Sequence, residues 1–181
     1  HNLPFYGPAV MCLDDKGVRD LIPELSRQVV TYGRHANADY RLDNYRSEGL
    51  CSHFELIRPH NAAPLALTVN MPGLHNAQNA VGAAALCAEL GISEDAIVKG
   101  LAEFGGVGRR FSDLGDVRWS AGSARLIDDY GHHPTEVDVT LQAARDAFHD
   151  QRVVMVYQPH RFTRTRDHFD EFVSVLGEAQ F

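Results

Sequence analysis

Several kinds of scaffold are missing from this chain. Its three cysteines, Cys12, Cys51 and Cys87, lie far apart, are odd in number and form no CxxC pair. That excludes a disulfide framework and a cysteine-based zinc site, and makes the reducing cytoplasm the expected home. No apolar run approaches the roughly 20 residues needed to span a bilayer, and no basic-then-apolar stretch of the secretory kind is present. Positive charge is in deficit: 17 Lys and Arg against 24 Asp and Glu leave a net charge of -7. A general nucleic-acid binder needs a basic surface, so neither nucleic acid nor membrane is an expected partner. Small anionic ligands stay open, because local arginine clusters govern them more than net charge does. The phosphate loop GxxxxGK[ST] is absent, as are HExxH and HxH. Of the ten histidines, His132 and His133 are adjacent, and neighbours in an extended chain point apart, so no metal site built from protein alone is expected. Internal repeats and low-complexity tracts are also missing.

What remains is an ordinary globular composition, 44% hydrophobic and 23% charged over 181 residues, with enough chain for one large domain or two small ones. Pro8–Leu13 has the pattern of a strand, Val18–Arg27 of a helix and Gln28–Tyr32 of a second strand, a βαβ-like unit that favours a parallel sheet. Tyr40–Tyr45, Cys51–Ile57 and Pro64–Val69 follow as an antiparallel meander. An Ala-rich helix runs to Leu90 and is ended by Gly91, and Ser93 caps the next, which continues to about Phe104. Gly105, Gly106 and Gly108 mark a hinge and the expected domain boundary. Beyond it, Phe111–Ser120 and Ser123–Asp129 predict a hairpin, Pro134–Phe148 a helix, Val153–Tyr157 a buried strand and Thr165–Leu176 a last helix.

The stretch Leu126-Ile127-Asp128-Asp129-Tyr130-Gly131-His132-His133-Pro134-Thr135-Glu136 organises this second part. It predicts a buried strand ending in two carboxylates, a turn rich in ionisable groups, and a helix opened by Pro134 with Glu136 in its first turn. In open α/β sheets ligands bind beyond the carboxyl ends of strands. The end of Val153–Tyr157 is expected to bring Gln158-Pro159-His160-Arg161-Phe162-Thr163-Arg164-Thr165-Arg166-Asp167 to the same edge of one sheet. Carboxylates there suit ribose hydroxyls or a cation, and imidazoles titrate near neutrality; the rival reading is a solvated, capped loop. Arg161, Arg164 and Arg166 near a helix start oppose its dipole, which calls for a carboxylate or phosphate ligand unless Asp167, Asp170 and Glu171 simply neutralise them. His75, Asn76 and Asn79 stand at another helix start, where Asn is either a cap or a reader of an adenine edge. Arg109-Arg110 at the hinge either reach a phosphate or solubilise the linker.

These residues resemble the Mur ligase family. The resemblance rests on Asn2–Gly7, Met71–Ala80, Gly106–Phe111, Asp128–Glu136 and Gln158–Asp167, which occur in the family's order and cover nearly the whole chain. It implies an α/β fold, with residues 1–110 the later part of the central ATPase domain and 111–181 the first half of the Rossmann-like C-terminal domain. The chain is then expected to be an internal piece of a longer enzyme, whose phosphate loop and Mg²⁺ ligands lie upstream. The implied reaction is ATP-dependent: the carboxylate of UDP-N-acetylmuramate is phosphorylated and the amine of L-alanine attacks the acyl phosphate. By the same resemblance His75, Asn76 and Asn79 contact adenine, Arg110 the phosphates and Asp129 the ribose. Tyr130, His132, Arg161 and Arg164 line the amino-acid pocket and carry its chemistry, an Arg taking the alanine carboxylate and His160 orienting that Arg. Asp128 and His133 hold the turn in shape. Gln158-Pro159-His160-Arg161 stands where a tripeptide-adding relative has Glu-Pro-Arg-Ser, which favours the alanine-adding branch. The fragment alone is expected to be inert, and a non-catalytic nucleotide-binding piece is the reading from outside the enzyme class.

Overall fold

The computed structural model describes residues 7–178; the Asn2–Gly7 stretch therefore lies outside the described residues except for Gly7. Five strands, β1 (Ala9–Cys12), β2 (Val29–Gly33), β3 (Tyr40–Glu48), β4 (Cys51–Ile57) and β5 (Leu65–Val69), form one sheet in sequence order. β1–β2 and β2–β3 pair parallel, while β3–β4 and β4–β5 are the expected antiparallel meander. β4 shows why: Ser52, Phe54 and Leu56 alternate onto the buried face, and Cys51, His53 and Glu55 onto the other. β3 outlasts its expected end by three residues because a bulge between Asp43 and Arg46, with Asn44 at φ 48°, resets its register.

Helices α2 (Leu74–Glu89) and α3 (Glu94–Ala102) cover the buried face. α2 presents Ala77, Ala80, Val81, Ala84 and Ala85 to Leu42, Phe54, Leu56, Leu67 and Val69. Its small side chains let helix and sheet approach closely: a methyl group on Gly82 would meet the Tyr32 ring at 2.8 Å. Ser93 caps α3 by accepting the Ala96 N–H. Helix α1 (Lys16–Leu21), capped by Asp15, is shorter than expected. Pro23 has no N–H to continue the ladder, so the chain tightens into a 3₁₀ turn at Ile22–Glu24.

The second part holds a hairpin of β6 (Ser112–Trp119) and β7 (Gly122–Asp128), then α4 (Pro134–Ala147), α5 (Phe162–Asp167) and α6 (Phe169–Glu178). Three expectations fail here. β7 is not buried: it pairs with β6 alone and Leu126 is 48% exposed. Residues 153–157 form no ladder, so the two segments are not strands of one sheet. That run alternates Val153, Met155 and Tyr157 inward against Val154 and Val156 outward, and packs on Val137, Leu141 and Phe172 without a backbone partner. Thirdly, the last helix begins at Phe162 and breaks at His168, whose backbone (φ -119°, ψ 28°) leaves the helical region and whose imidazole lies 2.9 Å from Glu171. Arg164 and Arg166 consequently stand in the last turn of α5, where the dipole favours cations, and not at a helix start.

The two parts touch. α4 packs against both α2 and β3, and a methyl group on Gly73 would come within 2.8 Å of the Ala143 Cβ. No helix among the described residues is long and apolar enough to cross a membrane.

Candidate active site

The turn 128–133 is built by its acidic residues. Asp129 Oδ1 accepts the Gly131 N–H at 2.6 Å, and its Oδ2 accepts the Phe111 N–H at 2.8 Å. Asp128 instead faces the Arg109 guanidinium at 3.6 Å. The linker is drawn in further by Tyr130, whose N–H donates to the Arg109 carbonyl at 2.8 Å and whose ring lies 4.5 Å beneath the Arg109 guanidinium. Arg109 and Phe111 are held at φ 61° and 45°, and Arg161 at 69°. Left-handed backbone at a side-chain-bearing residue costs of order 1–2 kcal/mol and persists only where the surroundings impose it. Two of these positions, Arg109 and Phe111, are bonded directly to this turn.

Helix α4 begins at Pro134 with His133 as its cap, Nδ1 accepting the Thr135 N–H at 3.3 Å. Glu136, at the third helical position, closes a capping box and reaches further, its Oε2 accepting the N–H of His132 at 3.0 Å and of His133 at 3.1 Å. Burial pushes the Glu136 carboxyl up. The two backbone donors, with the nearby His132 imidazole and the positive Arg110, outweigh it, so it sits below the ordinary carboxylate range.

Tyr130, His132 and His160 converge: ring centroids are 4.9 Å apart for Tyr130–His132, 6.0 Å for Tyr130–His160 and 6.3 Å for His132–His160. Arg164 donates weakly to the His160 carbonyl at 3.4 Å. Arg161 precedes α5 without a side-chain cap bond and lines an open groove with Pro159, Phe162, Thr165 and Phe169. His160 therefore meets the turn from the loop after residue 157, with Arg164 bonded to its carbonyl, although no strand delivers them, while Arg161 lies in the groove beyond.

On the other side, the start of α2 faces this turn. Gly73 at φ 95° is its cap, a position neither Asn takes. Asn76 is 7% exposed and its Nδ2 donates to the Pro72 carbonyl at 2.7 Å, whereas Asn79, one turn on, is open to solvent. His75 is partly buried; burial holds its imidazole below the ordinary histidine range, with Asp129 opposing and Arg110 reinforcing. Arg110 is thus felt by both His75 and Glu136, one from each part.

Sequence reasoning missed four residues. Glu136 was visible only as a helix-opening acid. Asp14, at the carboxyl end of β1, ties down the end of β2 and α2 by accepting the N–H groups of Arg34 and His35 and the Gln78 amide at 2.6 Å. The Tyr157 hydroxyl is buried with no partner, and burial pushes the phenol up, with Arg164 opposing and Glu136 adding. His168 stacks edge-on against His133 at 4.6 Å. Only Glu136 carried a local signal, its spacing of three from the helix cap; the others are set by long-range contacts.

The architecture and the pairing of the two parts have known counterparts. Residues 1–87 match the Mur ligase middle domain, and residues 109–181 match the Mur ligase glutamate ligase domain. The chain is built of Mur ligase domains. Among solved Mur ligases it is similar to UDP-N-acetylmuramate-alanine ligase MurC from Thermotoga maritima, at 30% identity over 81% of this chain and 31% of that one, with a TM-score of 0.67. UDP-N-acetylmuramoylalanyl-D-glutamyl-2,6-diaminopimelate–D-alanyl-D-alanyl ligase from Acinetobacter baumannii gives 26% identity over 83% of this chain and 31% of its own, with a TM-score of 0.64. A MurF structure from the same organism shares the fold at 23% identity, covering 97% of this chain and 37% of that one with a TM-score of 0.72. The chain spans about a third of the length of these Mur ligases. In Mur ligase terms, the start of α2 belongs to the middle domain and the turn 128–133 to the domain that follows it.

Proposed function

We propose that this chain is part of an ATP-dependent ligase that joins L-alanine to UDP-N-acetylmuramate through an acyl phosphate. The observation that supports it is the meeting of two differently charged environments at one interdomain turn. On the α2 side, His75, Arg110 and Asp129 interact around a helix start. On the other side, Tyr130, His132 and His160 cluster with Arg164 beside them.

Asn76, Asn79 and His75 face the adenine and Asp129 the ribose of ATP, while Arg110 steadies its phosphates from the hinge. Transfer of the terminal phosphoryl group to the muramoyl carboxylate releases ADP, and the donors around the site offset charge developing on that group. Arg164, with Arg161 beside it, takes the alanine carboxylate in a bidentate grip, and His160 fixes its approach. Tyr130 walls the pocket. His132 removes a proton from the alanine ammonium group, the freed amine forms the C–N bond, and the C–O bond to phosphate breaks. Among the described residues no group of three or more His, Cys, Asp or Glu could hold a metal ion.

A second reading, addition of a peptide in place of one amino acid, is favoured by the openness of the groove at Pro159–Phe169, a space of about 600 Å³. ADP release by the intact enzyme, with UDP-N-acetylmuramate and either L-alanine or murein tripeptide, separates the two. Release dependent on L-alanine supports the first reading, release only with tripeptide the second. No release with either leaves a nucleotide-binding piece without chemistry.

A further inference from the structure

We infer that Glu136 is the positioning residue that makes His132 a base at Nε2. The inference rests on the reading of His132 given above and adds a residue to it. His132 Nδ1 lies 2.9 Å from the Tyr130 carbonyl oxygen. A carbonyl only accepts, so Nδ1 carries the hydrogen and the neutral ring keeps its lone pair on Nε2. Two groups hold that arrangement in place. The Tyr130 carbonyl receives the Nδ1 hydrogen, and Glu136 Oε2 grips the His132 backbone N–H at 3.0 Å while standing 3.5 Å from Nδ1 itself.

An ordinary capping glutamate returns one hydrogen bond to the residue that caps the helix. Glu136 does this for His133 and then takes a second backbone donor and an imidazole, both belonging to the preceding residue. Its carboxylate is partly buried and ionised at neutral pH. When Nε2 takes the amine proton, the new imidazolium therefore forms next to a fixed negative charge. The other groups around the pair are the His160 and Tyr130 rings, the Arg109 guanidinium above Tyr130, and Arg110 and Tyr157 facing Glu136. The arginine near Glu136 leaves the tautomer of His132 unaffected. Glu136 thus acts on the reaction through His132 and touches neither substrate.

The experiment compares Glu136→Gln with wild type in the intact enzyme. Gln still accepts backbone N–H groups and completes a capping box, so a purely structural role predicts unchanged turnover and pH profile. The positioning role predicts a fall of about tenfold or more in kcat/KM for the amine substrate. It also predicts that the acid limb of the pH profile moves to lower pH, since the imidazolium loses its nearby carboxylate, with the KM for ATP unmoved. Turnover lost with the acid limb in place would overturn the inference, as would a wild-type profile. A second measurement needs no variant: ¹⁵N shifts of His132 in the wild-type protein should show hydrogen on Nδ1, and hydrogen on Nε2 would overturn it. His132→Gln keeps the two failures apart, because an acid limb that survives that change overturns the reading of His132 as a base and not merely the part given to Glu136.

Discussion

Asp129 holds Phe111 by its backbone: across eighteen residues of sequence, a carboxylate oxygen of the turn accepts an amide of the linker at 2.8 Å. The same carboxylate closes the turn through Gly131, so one side chain ties the hinge to the site. Asp129→Asn exchanges one acceptor oxygen for an NH₂ that confronts a backbone N–H. Each charge-assisted bond at risk contributes about 1.5–3 kcal/mol. The expected outcome is a lower melting temperature together with a raised KM for ATP in the intact enzyme. A normal KM for ATP would remove Asp129 from the nucleotide site and leave it a structural tie.

The proposed role of Arg164 distinguishes the two substrates. Among the described residues its hydrogen bond is a weak one to the His160 carbonyl, which leaves most of its guanidinium fork open to a carboxylate. Arg164→Ala should raise the KM for alanine far more than the KM for ATP, since the lost partner is a carboxylate. Steady-state kinetics with each substrate varied in turn reads this directly, and unchanged alanine kinetics would move the carboxylate site elsewhere, Arg161 being next in line.

Gly73 allows two close approaches at once. It sits at φ 95°, and an added methyl would lie 2.8 Å from both the His75 ring and the Ala143 Cβ. Gly73→Ala combines backbone strain with a steric clash between α2 and α4, and should cost at least about 2 kcal/mol. Urea unfolding is the measurement. A change below about 0.5 kcal/mol would mean that the contact between the two parts yields freely.

His75 gives the folded chain a pH dependence of known sign. Its imidazole is held below the ordinary value near 6.5. A depressed histidine is neutral when folded over a range where the unfolded chain already takes the proton. Its contribution is therefore complete above the ordinary value and is lost as pH falls toward the lowered one. Unfolding midpoints between pH 7.5 and pH 5 should fall less steeply in His75→Gln than in wild type. Equal slopes would place His75 in an environment like water.

Much of the first part could be read in advance, and the reason is local. Cys51–Ile57 is delimited by the Ser-Glu-Gly and His-Asn-Ala-Ala turns on either side of a strand-like run, and Ser93 announces α3 by its chemistry. The second part was harder because its features depend on partners far away in sequence. Val153–Tyr157 has the composition and alternation of a strand, but a strand is made by a neighbour, and the described chain gives it none. Asp128 and Asp129 are adjacent and chemically alike. The pitch of the backbone decides which one turns to Phe111 and which to Arg109. The grouping of Tyr130 and His132 could be anticipated from one short turn. Their meeting with His160 depended on a path through residues 153–159 that alternation alone misassigned.

That same segment divides the chain by timescale. The amides of β4 are locked on both sides, by β3 and by β5, and exchange with deuterium only when the sheet opens. The amides of residues 153–157 have side-chain packing beneath them and no ladder above, so they exchange through small local fluctuations. The loop carrying His160 and Arg161 hangs from this fast segment, while His75 stands on α2, the helix packed against the slow sheet. The two halves of the site are therefore set on supports of unequal stiffness, and the side that carries His160 and Arg161 is the one free to adjust.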